Sequence, residues 1–307
     1  MRILLSGGNG MVGRNLRDHS SCSTHTLWAP DRQELNLLDD SSVLLACKDF
    51  KPDLIIHAAG RVGGIAANMA APYDFLAENL TMGMNLIAAA REAKVPRFLN
   101  FSSSCVYPRF GKNPLKEDDI LKGELEPTNE GYALAKVSIM RLGEFSNKTG
   151  ALNFKSLIPC NLYGRHDHFD PLKSHLLPSI VMKLHKAKIS NATTIDIWGS
   201  GEARREFMYA SDLASITWEC VKIFDRLPIT MNIGIGHDYT INQYYQTAAK
   251  IIGWKGEFIH DTTKPEGMKQ KLVDNQRMLS LGLLAPTNLE DGIRHTLDFY
   301  LAQKGSQ

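Results

Sequence analysis

Short apolar runs alternate with helical stretches through the first half of the chain. Residues 2–5, 24–28, 53–58 and 97–101 read as strands, and residues 13–18 and 80–93 as helices. That order predicts βαβ units closing on a parallel sheet. The run Leu54-Ile55-Ile56 lacks the polar and apolar alternation of a half-exposed strand. It is therefore expected at the centre of a sheet with helices on both faces.

The texture changes at Gly164. A loop rich in His and Asp is followed by a helical stretch over 176–186 and then by the turn-like Trp198-Gly199-Ser200-Gly201-Glu202. A second lobe is expected to begin here. Residues 230–235 again have the pattern of a buried strand, so the chain is expected to return to the sheet before it ends in the second lobe. The expected division is 1–163 with about 204–236 in the sheet lobe, and 164–203 with 237–307 in the other.

A chain of 307 residues can bury a large core in one or two closely packed domains. With 35 basic and 33 acidic side chains the formal charge is +2, too small for a field that captures nucleic acid or anionic membranes. No apolar run approaches the roughly 20 residues of a membrane span, and Met1 to Leu5 lead into a glycine turn, not a signal peptide. A cytoplasmic protein is expected. Five scattered cysteines without CxxC spacing point to neither a disulfide framework nor a metal site.

Gly7, Gly10 and Gly13 form a GxxGxxG directly after the first strand. Glycine there permits a tight turn and lets a pyrophosphate approach a helix N-terminus. With βα units following, this predicts a Rossmann-type, doubly wound α/β fold with a smaller, interleaved C-terminal substrate lobe. The cofactor contacts are expected from Gly7, Asn9, Gly10, Met11, Val12 and Gly13. The second strand ends in Trp28-Ala29-Pro30, without the acidic residue that holds the ribose of NAD, and Arg14 and Arg32 lie nearby. This favours NADP(H), with either arginine meeting its extra phosphate. Asp39 is a candidate for the adenine edge and equally for a helix N-cap.

Tyr132-Ala133-Leu134-Ala135-Lys136 is a YxxxK, which on a helix sets phenol and ammonium on one face, a turn apart. A free tyrosine has a pKa of about 10, so it exchanges protons poorly near neutrality unless a cation favours the phenolate. Lys136 supplies that cation and can also hold a cofactor ribose. Ser103 follows an apolar strand, at the end where open α/β sheets place their sites, and its hydroxyl can orient an oxygen being reduced.

Several stretches together resemble the GDP-L-fucose synthase family. They are Ser103-Ser104-Cys105-Val106-Tyr107-Pro108, Leu125-Glu126-Pro127-Thr128-Asn129-Glu130, Tyr132 with Lys136, Asn161-Leu162-Tyr163-Gly164, and Trp198-Gly199-Ser200-Gly201 leading to Arg205-Glu206-Phe207. The likeness includes Val62-Gly63-Gly64-Ile65 and runs to about Leu301. It implies an enzyme that inverts carbons 3 and 5 of a GDP-4-keto-6-deoxymannose and then reduces the ketone with NADPH at the same site. By the same resemblance, Cys105 is the base and His175 the acid that returns a proton from the other face. A thiol and an imidazole both exchange protons near neutrality. The resemblance further implies cofactor contacts from Asn161, Leu162 and His175, and GDP-sugar contacts from Lys183, Trp198, Arg205 and Lys271. A homodimer built on helices 80–93 and 132–147 is also expected.

The chain departs from that family's pattern at Gly8-Asn9, where a His-Arg pair would bring a cation to the cofactor phosphate. Cys160 stands for a threonine, and Lys183 for an arginine able to grip phosphate with two bonds. A GDP-L-colitose synthase, acting on the 3-deoxy substrate, would use the same groups. A nucleotide-sugar dehydratase usually carries an acidic residue after the active-site hydroxyl, where this chain has Ser104-Cys105. A dinucleotide-sensing protein that had lost its chemistry would not need Ser103, Tyr132 and Lys136 together.

Overall fold

In the computed structural model, which describes residues 1–170, 174–264 and 267–305, the strands and helices alternate as the pattern predicts. The first half runs β1 (Arg2–Ser6), α1 (Met11–Asp18), β2 (Thr26–Trp28), α2 (Asp40–Phe50), β3 (Leu54–His57), α3 (Ile65–Ala70), α4 (Pro72–Glu92), β4 (Arg97–Phe101) and α5 (Glu130–Lys148). Then follow β5 (Asn153–Pro159), β6 (Asn161–Tyr163), α6 (Leu176–Ile189), β7 (Thr194–Trp198), β8 (Arg204–Arg205), β9 (Phe207–Tyr209), α7 (Ala210–Lys222) and β10 (Thr230–Ile233). The chain closes with β11 (Tyr239–Thr240), α8 (Ile241–Ile252), β12 (Glu257–Asp261), β13 (Gln270–Lys271), α9 (Gln276–Ser280) and α10 (Leu289–Gly305).

The main sheet has the order β10-β5-β4-β3-β1-β2, and every pairing in it is parallel. Its continuous apolar strands serve two cores. Ile3, Leu5, Leu54, Ile56, Leu99 and Phe101 join Leu16, Val137 and Trp218 on one face. Leu4, Ile55 and Phe98 join Val43, Leu86 and Ile139 on the other. A strand buried on both sides has no polar side to show, which is why Leu54-Ile55-Ile56 does not alternate.

From β1 the chain goes outward to β2, then returns to the other side of β1 with β3 and continues outward through β4, β5 and β10. The direction reverses between β1 and β3, and their carboxyl ends open the crevice in which such sheets bind ligands. The helix read from 80 onward begins earlier, at Pro72, because proline at the first helical turn loses no hydrogen bond.

The third core joins Leu177, Ile180 and Leu184 of α6 to Ile195 and Ile197 of β7, Tyr244 and Ala248 of α8, and Ile293 and Tyr300 of α10. Tyr163, Phe207 and Tyr209 belong to it, whereas Val273, Met278 and Leu283 pack into the core of the main sheet. Three small sheets, β11-β8-β13, β12-β7 and β6-β9, accompany the main one. No described helix is long and apolar enough to cross a membrane.

Candidate active site

The glycine turn lies at the reversal point. Gly7 has φ +76°, and a Cβ there would stand 2.5 Å from the backbone nitrogen of Ala59, in the loop after β3. A Cβ on Gly13 would run into the Gly7 carbonyl, so that residue lets α1 sit against the turn. Gly10 caps α1 without a side-chain bond, and the first turn of α1, with Met11, Val12 and Gly13, carries no acidic residue. Its N–H groups are thus left for an anion, the arrangement that suits a pyrophosphate. Arg17, two turns along α1, reaches back and donates to the Gly8 carbonyl at 3.3 Å and to Asn9 Oδ1 at 3.0 Å. Arg14 and Arg32 are exposed. The Asp39 carboxylate accepts from the Ser42 N–H at 3.2 Å and hydroxyl at 2.6 Å, capping α2 and staying below the ordinary carboxylate range for that reason.

Ser103 ends the segment after β4 and caps the short turn of residues 104–106, its hydroxyl accepting from the Cys105 N–H at 3.3 Å. Tyr132 and Lys136 stand on the first turns of α5, with Lys136 Nζ 5.7 Å from the Tyr132 ring centroid. Lys136 is buried and donates to the Phe101 carbonyl at 3.0 Å. Burial pulls its amine down to about 8. The His57 imidazole falls to about 3, from burial first and the Lys136 charge second. Burial, followed by the neighbouring Cys105, raises the Tyr132 phenol, with a bond from Ser103 opposing the rise. Lys136 is expected to hold this phenol low, whereas burial sets its direction upward. Tyr132 therefore keeps its proton at neutral pH.

Cys105 is held by two donors from distant parts of the chain. Asn129 Nδ2 lies 3.1 Å and Lys271 Nζ 3.4 Å from its sulfur. The stretch Pro127-Thr128-Asn129 forms a tight turn into α5 and delivers the Asn129 amide. Lys271 is buried on β13, which pairs in parallel with β8 so that Lys271 is in register with Arg205. The buried Glu206 ties these segments together by accepting from the Gly236 N–H at 2.9 Å and the Val273 N–H at 3.0 Å. Its backbone carbonyl accepts from Asn161 Nδ2 at 2.8 Å, which fixes the side chain of Asn161 next to Leu162 on β6.

His175 caps the N-terminus of α6, and its Nδ1 lies 3.5 Å from Asp167 Oδ1. The bond to this carboxylate raises the imidazole above its ordinary value against the opposing effect of burial. On the same helix Lys183 is an exposed residue, its amine lowered by desolvation with Asp196 opposing. Trp198 ends β7 and is 60% exposed, with Lys264 Nζ 5.7 Å from its ring. An exposed indole is a ready stacking surface for a flat base. Arg205 donates from Nη1 to the Arg204 carbonyl at 2.7 Å, while Arg204 itself is paired with Asp238 at 2.6 Å.

The structure thus joins Ser103, Cys105, Tyr132, Lys136 and Lys271 into one connected group. A model of the NAD dependent epimerase/dehydratase family matches residues 3–234. The chain belongs to this family. It is 45% identical to a GDP-L-colitose synthase of Yersinia pseudotuberculosis, with 100% of both chains covered. It is 44% identical to a GDP-L-fucose synthase of Azorhizobium caulinodans, over 98% of this chain and 96% of the relative. Among solved structures, a GDP-mannoheptose C4 reductase from Campylobacter jejuni with NADP bound matches with a TM-score of 0.88 at 30% identity, covering 98% of each chain.

Three residues in this epimerase/dehydratase site are not announced by any motif. Arg17 brings a cation to the turn where Gly8-Asn9 had removed one. Asn129 lies in the stretch from Leu125 to Glu130, but its spacing from Cys105 follows no helical or strand period. Asp167 lies in the polar loop ahead of α6, and only the fold turns it toward His175. Lys271, expected at the sugar nucleotide, also donates to the Cys105 sulfur.

Proposed function

We propose that this protein is an NADPH-dependent epimerase and reductase that converts GDP-4-keto-6-deoxymannose to GDP-L-fucose. The observation that carries the reading is Cys105, a sulfur bracketed by the donors Asn129 and Lys271 directly beside the reducing residues Ser103, Tyr132 and Lys136. A simple dehydrogenase has no use for a second proton-transfer group there. A ketone at carbon 4 acidifies the hydrogens on carbons 3 and 5, so a modest base suffices.

The fit to NADP(H) rests on the glycine turn and the uncapped first turn of α1, with Gly7, Asn9, Gly10, Met11, Val12 and Gly13 as its cradle. Arg17 and Arg32 are the cations for the additional phosphate, Asp39 keeps its place as the cap of α2 while offering its free edge to the adenine, Lys136 holds the ribose, and Asn161, Leu162 and His175 complete the contacts. NADPH, when bound, supplies the hydride for carbon 4. The sheet lobe then carries the cofactor and the second lobe the sugar nucleotide, with Lys183, Arg205 and Lys271 as cations toward the diphosphate and Trp198 as a stacking face.

Cys105 takes the proton from the carbon next to the ketone, and His175 returns one from the opposite face, which inverts the centre. Ser103 orients the carbon-4 oxygen. Tyr132, which its surroundings keep protonated, gives that oxygen its proton during reduction. Lys136 stands close enough to steady the phenolate that remains. We also infer a homodimer through α4 and α5, which leave Met84, Leu134 and Phe145 exposed.

The test is NADPH oxidation by the purified protein on GDP-4-keto-6-deoxymannose and on its 3-deoxy analogue, with products identified by NMR. Preference for the first and formation of GDP-L-fucose are expected. Preference for the analogue would make the protein a GDP-L-colitose synthase, and turnover of neither would remove the GDP-sugar assignment.

A further inference from the structure

The polar loop ahead of α6 contains a carboxylate that the reaction above does not use. The Asp167 side chain is 1% exposed, and its Oδ2 is buried without a hydrogen-bond partner. Its Oδ1 accepts from the His168 N–H at 2.8 Å and faces His175 Nδ1 at 3.5 Å. A buried carboxylate with one oxygen unsatisfied is costly, and a polar partner normally offsets that cost. The imidazole of His175 is the titratable group beside it.

We propose that Asp167 is the positioning residue for His175, holding the proton on Nδ1 so that Nε2 is the nitrogen that serves the substrate. In a neutral imidazole one ring nitrogen donates and the other accepts, and the partner of the first decides which is which. With Nδ1–H donating to Asp167, Nε2 both delivers a proton to the substrate carbon and takes the next one from solvent. The carboxylate also stabilises the imidazolium that exists before each delivery. Asp167 itself gains and loses no proton, and the ring cannot turn to present the wrong nitrogen.

This inference rests on the reading of His175 as the acid of an epimerase, and the experiment separates the two. GDP-4-keto-6-deoxymannose is incubated in D2O, and NMR follows deuterium entering carbons 3 and 5 alongside inversion of those centres. Without a working acid, Cys105 removes and returns the proton on one face, so deuterium enters with retention. For Asp167→Asn the ratio of inversion to exchange should fall about 10- to 100-fold, part of what a general acid contributes. Asp167→Glu should recover part of it. Equal loss of exchange and inversion in Asp167→Asn, or an unchanged ratio, would overturn the proposal. Absence of exchange and inversion in the wild type would instead overturn the epimerase reading. Should Asp167→Asn fail to fold, 15N-histidine NMR of the wild type, assigned with His175→Asn, decides the matter. An Nδ1–H tautomer for His175 supports the proposal, and an Nε2–H tautomer contradicts it.

Discussion

The two ends of this active site are built on different principles. At the proposed reducing end, Ser103, Tyr132 and Lys136 come from the close of β4 and the start of α5, and Lys136 is anchored by the Phe101 carbonyl of that strand. At the proposed epimerising end, Cys105 and His175 depend on side chains delivered from other positions in the chain. The Lys271 ammonium reaches Cys105 across 166 residues of sequence, the Asn129 amide across 24, and Asp167 faces His175 across the loop before α6. Both ends are closed by tertiary contacts, but the residues of the first sit at a strand end and at helical spacing, whereas the partners of the second follow no local period. A motif can announce the first, because strand end and helix spacing are local, whereas nothing local announces the second.

The sharpest way to break the two ends apart is Tyr132→Phe. Loss of the acid that protonates the carbon-4 oxygen should cut NADPH oxidation by about 1000-fold, within the range of general acid catalysis. Deuterium exchange at carbons 3 and 5 should continue at near the wild-type rate. Loss of both together would mean that the ends are one unit after all. A smaller effect is expected from Lys271→Met, which removes the cation on the Cys105 sulfur. Exchange should slow by about 10- to 100-fold, with a weaker effect on the affinity for free GDP. If GDP affinity falls and exchange does not, Lys271 belongs to the diphosphate alone.

The smallest expected effect concerns Lys136. Its amine is lowered by burial to about 8, so the folded state holds this proton less tightly than the unfolded chain does. Between that value and the ordinary lysine value of about 10.4 the unfolded state binds more protons, and stability must rise with pH. Below that window the penalty for a buried charge is fully present. Urea unfolding should therefore show wild type gaining about 1–2 kcal/mol on Lys136→Met between about pH 8 and about pH 10. A constant difference would mean that Lys136 is well solvated.

The sequence pattern made the sheet legible because fully buried parallel strands leave a continuous apolar signature, and Leu54-Ile55-Ile56 carries it. The glycine turn was legible for a similar reason, since Gly7 and Gly13 answer backbone contacts that admit no Cβ. The second lobe was harder to read. Its strands β8, β11 and β13 are two residues long, too short for any periodicity, and the register of Lys271 with Arg205 exists only once they pair. Asp39 shows a limit of another kind. The carboxylate that suits an adenine edge also suits a helix cap, and the fold uses it as the cap. Tyr132 shows a third, because burial, which raises its phenol, is a property of the folded chain that no motif displays.

The most direct test of the account is a single turnover experiment in D2O with GDP-4-keto-6-deoxymannose and NADPH, with the product read by NMR. The account predicts GDP-L-fucose carrying deuterium at both carbon 3 and carbon 5 and the transferred protium at carbon 4. A reduced sugar without deuterium at carbons 3 and 5 would show that Cys105 and His175 do no proton chemistry, and would leave the protein a simple ketone reductase.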